Sequence, residues 1–257
     1  MTNSHSYKVR GALSALTLSM TALISGCGGD NAPAVVPPVD MTPTTAVFEV
    51  TLVNLTAGQP ISPLLAIVHN DSFSLFKEGD VASTALEYIA ESGNTAPLAT
   101  LIADSKSVIT SAAGAAMPLL PGTSNMVKVT LTVPLANLAT SRLSFASMLG
   151  NTNDGFTGVS GEMLSNLTVN ANRNIDLLAY DAGTEANTES ANTVPGPATA
   201  SSGGKREAFN PMRDDIISTI HVHPGIVSKD DGLPTSALTQ AQRWDNPVAT
   251  LMIRRTQ

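Results

Sequence analysis

One cysteine, one tryptophan and three tyrosines among 257 residues exclude several kinds of protein at the outset. A lone Cys27 allows no disulfide, no zinc-thiolate cluster and no catalytic thiol in the folded part of the chain. Aromatic residues make up only 4% of the composition, too few to build the stacking platforms of a carbohydrate cleft. No serine sits in a Gly-x-Ser-x-Gly elbow, and no Gly-x-x-x-x-Gly-Lys stretch is present to cradle a phosphate. Positive charge is scarce as well, with 14 Lys and Arg against 21 Asp and Glu and a net charge of −7. That balance argues against nucleic acid or an anionic membrane face as partner and suits a protein that meets cations.

The run of apolar and small residues from Gly11 to Ile24 is too short to span a bilayer comfortably. It follows Lys8 and Arg10 and leads into Ile24-Ser25-Gly26-Cys27, so residues 1–26 are expected to be an export signal. The pattern resembles bacterial lipoprotein signals, in which Cys27 becomes the first mature residue and carries the acyl chains. Several chains on one cysteine anchor firmly, because each buried methylene contributes about 0.8 kcal/mol. Gly28 after the cysteine is compatible with passage to the outer membrane. Loss of Lys8 and Arg10 leaves 12 basic residues against 21 acidic ones, a net charge of −9. Residues 27–45, with Pro33, Pro37, Pro38 and Pro43, are expected to form an extended tether, of which about 17 residues reach roughly 50 Å at about 3.1 Å per residue. Residues 46–257 then form one domain, long enough to bury a sizeable core.

Within that domain, short β-branched segments alternate with turns rich in Gly, Asn and Pro. Ala46 to Asn54 predicts a strand buried largely on both faces, and Ile61 to His69 a second. Val127, Val129, Leu131 and Val133 alternate with Lys128, Thr130 and Thr132, the pattern of a half-exposed strand. Arg142 to Leu149, Phe156 to Val159, Ile175 to Tyr180 and Ile216 to His223 complete the expected strands. Two short helices are expected as an insertion at one end, over 81–91 with Asp80 as N-cap and over 96–105. The whole predicts an all-β antiparallel β-sandwich with two short inserted helices. Ala186 to Arg206 predicts a loop whose first residues, Asn187 included, are ordered by an ion and whose remainder is mobile.

Chemistry concentrates where the strand-like run Leu177 to Tyr180 ends in Asp181-Ala182-Gly183-Thr184-Glu185. Two carboxylates flank a glycine that lets the backbone turn, and an irregular loop supplies carbonyls, the oxygen donors that calcium takes at about 2.3–2.6 Å. The same spacing also fits a solvated turn. A second constellation is His221 and His223, two residues apart and therefore on one face of a strand, the geometry of a transition-metal site. They equally suit hydrogen bonds to loop backbone. Asp230-Asp231-Gly232 is expected to be a solvated turn, and Trp244 a core anchor before the last strand.

Ala146-Ser147-Met148-Leu149, Asn151 to Gly158, Ala179 to Glu185 and Pro247 to Arg255, in that order, resemble the spondin N-terminal domain family and its bacterial lipoprotein branch, over roughly residues 46–255. The resemblance implies a C2-like β-sandwich and a calcium ion held by residues matching Asp154, Asp181 and Glu185. Glutamate replaces aspartate at the last of these positions, keeping the charge and changing the reach. The resulting expectation is a non-enzymatic, calcium-binding module, attached to the membrane through lipidated Cys27, for cell-surface structure, adhesion or recognition. A polysaccharide or an extracellular protein would be the partner. The alternative is a transition-metal-binding protein or metal-dependent hydrolase using His221 and His223.

Overall fold

A computed structural model describes residues 42–122 and 124–257. The expected signal segment, Cys27 and almost all of the expected tether lie outside them. Among the described residues ten strands form two antiparallel sheets. The first joins β4 (Met126–Pro134), β1 (Thr45–Asn54), β10 (Ala249–Arg255) and β7 (Asn172–Leu177), in that order. The second joins β3 (Val108–Ala113), β2 (Leu65–His69), β5 (Arg142–Met148), β6 (Gly155–Met163), β8 (Ala179–Asp181) and β9 (His221–Val222).

The period-two pattern explains the first sheet. Ala46, Phe48, Val50 and Leu52 of β1 are all fully buried, and β4 contributes Val129, Leu131 and Val133 while Lys128, Thr130 and Thr132 face solvent. Leu251 and Ile253 of β10 complete this side, and Leu143, Phe145, Ala66 and Val68 of the second sheet meet them. Each fully buried Phe or Leu contributes about 1.5–3 kcal/mol by leaving water. Strand β1 alternates more than its sequence suggests, since Val47, Glu49 and Val53 are only half-buried.

The middle of the second sheet, β2 and β5, is buried on both faces because the two inserted helices cover it. Helix α1 (Thr84–Ser92) is capped by Ser83, whose hydroxyl accepts the Leu86 N–H at 3.2 Å, and ends at Gly93 in the left-handed region. Asp80 is not the cap; its carbonyl accepts the Ile220 N–H at 2.9 Å. Together with α2 (Ala96–Ala103), α1 places Leu86, Ile89, Ala90, Leu98 and Ile102 against Leu65, Ile67 and Phe156. The helices therefore cover a sheet face rather than an end of the sandwich, which is why all five residues of β2 are buried.

Two expected strands differ in a way that shapes the site. The run Ile175 to Tyr180 is divided, with β7 pairing to β10 in one sheet and β8 pairing to β6 in the other. The crossing falls at Leu178, after Val248 N–H binds the Leu177 carbonyl and before the Asn246 side chain accepts the Ala179 N–H, at 2.9 and 2.8 Å. The segment Ile216 to His223 is a strand only at His221 and Val222. Its partner β8 stops at Asp181, so residues 216–220 have no ladder to join, and Ile216 is 96% exposed.

Candidate cation site

The segment Asn151-Thr152-Asn153-Asp154 follows β5 and is buried throughout. Each side chain ties down a different piece of backbone. Asn151 donates to the Gly58 carbonyl at 2.7 Å and accepts the Ala198 N–H at 2.9 Å. The Thr152 hydroxyl accepts the Gly155 N–H at 2.9 Å, closing the turn into β6. Asn153 donates to the Thr193 hydroxyl at 2.6 Å and accepts the Glu189 N–H at 3.3 Å. One oxygen of Asp154, Oδ2, accepts the Thr184 N–H at 2.7 Å, the Thr184 hydroxyl at 3.0 Å and the Glu185 N–H at 3.1 Å. Its other oxygen, Oδ1, is buried without a partner.

Strand β8 brings Asp181 beside this segment, because Asp181 pairs with Gly155 on one side and with His221 on the other. Asp181 Oδ1 accepts the Gly183 N–H at 2.8 Å, and Oδ2 accepts from the Asn187 amide at 2.8 Å, with His221 Nε2 at 3.8 Å. Gly183 is required here twice over. Its φ is +68°, and a Cβ would lie 2.5 Å from the Ile217 carbonyl oxygen.

Two glutamates of the following loop enter the same end of the sandwich. Glu189 is buried, with Oε1 accepting the Val227 N–H at 3.2 Å and Oε2 unpartnered. Burial, opposed by that hydrogen bond and reinforced by Asp181 and Asp154, raises its carboxyl to about 7. Glu185 is also buried, with Oε2 unpartnered, and is raised to about 9 by burial, then by Glu91, Asp154, Asp214 and Glu207. Burial and Asp181 lift Asp154 to about 7 in spite of its three donors. Burial likewise takes Glu91, near the end of α1, to about 7. The pKa of Asp215 is raised by burial first and Asp181 second. Carboxyls held this high are groups whose charge lacks a counter-ion.

Of the expected ligands, Asp154 and Asp181 are thus direct neighbours, and Glu185 sits between Asp154 and Glu91. Sequence reasoning missed Glu189 and Glu91. Glu189 lies in a polar stretch with no period, and Glu91 sits on a helix where a glutamate usually faces water. The expected mobile loop, residues 186–206, lacks strands but is packed down, with Val194 and Thr199 fully buried and Arg206 donating to the Gly196 carbonyl at 3.0 Å.

A hard divalent cation takes carboxylate and amide oxygens. Asp154 Oδ1, Glu189 Oε2 and Asn187 Oδ1 are buried oxygens with no donor, so the residues present fit calcium. Among the described residues no three His, Cys, Asp or Glu side chains already form a cage. Binding an ion therefore requires the loop carboxylates to close on it.

The histidines fit a metal less well. His223 Nδ1 accepts the Gly225 N–H at 3.0 Å, which leaves the proton of the neutral ring on Nε2, and that atom is buried without a partner. An N–H cannot ligate a metal. Burial takes the pKa of His223 down to about 4, and its ring meets Trp244 edge-on at 5.1 Å. His221 gives its Nδ1 proton to the Thr219 carbonyl at 2.9 Å, leaving only its Nε2 lone pair available. A serine–histidine contact also occurs, with His69 Nε2 2.6 Å from the Ser144 hydroxyl. Both residues are fully buried and Ser144 also accepts the Gly161 N–H at 2.8 Å, so the pair locks β2, β5 and β6 together and meets no substrate.

The fold and this end of it define a β-sandwich module that gathers acidic loops, the architecture of a binding protein. The Spondin_N family model matches residues 56–203, more than half of the chain, and the chain belongs to that family. Comparison with curated proteins returns no match. Membership supports an exported, extracellular module of the recognition type, in a family that is not one of enzymes. Among the described residues no helix is long and apolar enough to cross a membrane.

Proposed function

We infer that this protein is a calcium-binding recognition module, held to the cell envelope by acyl chains on Cys27 and presenting its acidic loops to a polysaccharide or protein partner. The observation that carries the reading is Asp154, fully buried beside Asp181 with one oxygen unpaired. The ion would be held by Asp154 and Asp181, with a further carboxylate from the 185–189 turn. Once bound, it would offset the mutual repulsion of these acids and fix the loops that follow β5 and β8.

The first strand of the described chain runs toward the acidic loops. The described chain enters at Thr42, next to the Leu135 turn, where Leu135 N–H binds the Thr44 carbonyl at 2.9 Å. Strand β1 then carries it ten residues, about 33 Å at ~3.3 Å per residue, toward the acidic end, where Gln59 accepts the Asn151 N–H at 2.9 Å.

The test is calcium and zinc titration of the metal-stripped protein, followed by thermal melting. Calcium at a hundred times its Kd should stabilise by about 2.7 kcal/mol, with a Kd near 10⁻⁴–10⁻³ M as in other extracellular modules. Zinc should have little effect. Zinc binding tighter than calcium, and lost in a His221→Ala, His223→Ala double variant, would overturn the reading.

A further inference from the structure

We propose that Glu189, rather than Glu185, supplies the third carboxylate to a calcium ion at Asp154 and Asp181; the inference rests on the calcium reading above. Glu189 is 1% exposed, and its Oε2 has no donor while Oε1 is held by the Val227 N–H at 3.2 Å. Its main chain is clamped on both sides. The N–H donates to Asn153 Oδ1 at 3.3 Å, and the carbonyl accepts the Ala237 N–H at 2.8 Å. Asn153 immediately precedes Asp154, so the clamp sets Glu189 next to the aspartate that has a free oxygen. Two residues earlier in the same loop, Asn187 donates to Asp181 Oδ2 at 2.8 Å. The loop thus reaches both aspartates.

The backbone supports the same assignment. Glu189 has φ +55°, a left-handed conformation that a residue with a Cβ rarely adopts. Such conformations persist where the surroundings impose them, and they cluster at ligand clamps. The charges that act on the Glu189 carboxyl are Asp181 and then Asp154, whereas the charge acting most on Glu185 is Glu91 of α1. Asp154 acts on Glu185 only after Glu91, whereas the acids acting on Glu189 are the two aspartates alone.

The experiment is calorimetric titration with calcium alone, on full-length protein purified in detergent and stripped with a chelator. Wild type is compared with Glu189→Gln, Glu185→Gln and Asp154→Asn, and a melting curve in chelator for each variant checks that it is folded. The expected result is calcium affinity at least tenfold weaker in Glu189→Gln and Asp154→Asn, and within threefold of wild type in Glu185→Gln. A tenfold loss in Glu185→Gln, with or without one in Glu189→Gln, overturns the assignment. So does an unchanged Glu189→Gln beside a weakened Asp154→Asn, an outcome that leaves the calcium reading standing. No calcium binding by the wild type would instead remove the reading and the assignment together.

Discussion

Glu87 and Asp154 are both buried acids, yet they are served differently. Both oxygens of Glu87 receive the Arg213 guanidinium, at 3.0 and 2.6 Å, and Arg213 also binds the Ala82 carbonyl at 2.9 Å. Tyr88 stacks on Phe209 at 3.6 Å, and Asn210 N–H binds Glu91 at 2.9 Å, so this cluster straps residues 209–213 across α1. Asp154 has Asp181 and Glu189 for company, and among the described residues no Lys or Arg forms a salt bridge with any of the three. One acidic group brings its cation in its own chain, while the other, on the proposed function, takes one from solution. The first reads as structure and the second as a binding site, because buried charge is tolerated only when compensated.

The largest expected effect breaks the self-sufficient cluster. Arg213→Ala leaves Glu87 buried and unpaired, which should cost about 3 kcal/mol and lower the melting temperature by about 6–12 °C in a domain of this size. Replacing both residues with Leu and Met should cost much less, and thermal melting of the single and double variants measures the difference. Asp154→Asn acts on the other cluster in the opposite sense. In chelator it should change stability by less than about 1 kcal/mol, since a repelling charge goes as a hydrogen bond weakens. It should abolish the roughly 2.7 kcal/mol that saturating calcium adds to wild type.

A pH series sharpens the contrast further. Glu91, Glu189 and Asp154 hold their protons to about 7 and Glu185 to about 9, well above ordinary carboxyl values of 4.5 and 3.8. The native state therefore binds more protons than the unfolded chain, and stability falls as pH rises toward those values. His69 and His223, held below 6.5, act in the reverse sense but only below that pH. Metal-free protein should accordingly lose stability between about pH 6.5 and 9, and Glu185→Gln should flatten the upper part of the fall. Urea midpoints in chelator test this, and a midpoint constant across the window would contradict it. The smallest effect lies on the surface: Lys128→Ala breaks an exposed pair with Glu49 and should cost no more than about 1 kcal/mol.

The legible parts were those where one chemical pattern served one purpose. The alternation of Val127 to Val133 identifies β4 because one face meets the core and the other meets water. The acidic turn at Asp181 to Glu185 was legible for a similar reason, since its glycine and its charges stand together. The edge strand Val108–Ala113 was missed because its small residues, half-buried or exposed, carry no clear period. Glu189 was illegible for a different reason. Its role comes from a loop fold that Asn153, Val227 and Ala237 impose from distant parts of the chain.

Local composition determined that the chain would form a β-sandwich with two helices, that it has no internal disulfide, and that acids would gather after Tyr180. A period of two, a glycine or a capping serine acts on its immediate neighbours, so its consequence can be read in place. Only the tertiary structure decided which acids share a site. The run around Leu178 had to cross from one sheet to the other, and Arg213 had to be spent on Glu87, before Asp154, Asp181 and Glu189 were left with no Lys or Arg paired to them among the described residues. Electrostatic need depends on distance in space and on exclusion of water, and neither is set by separation along the chain.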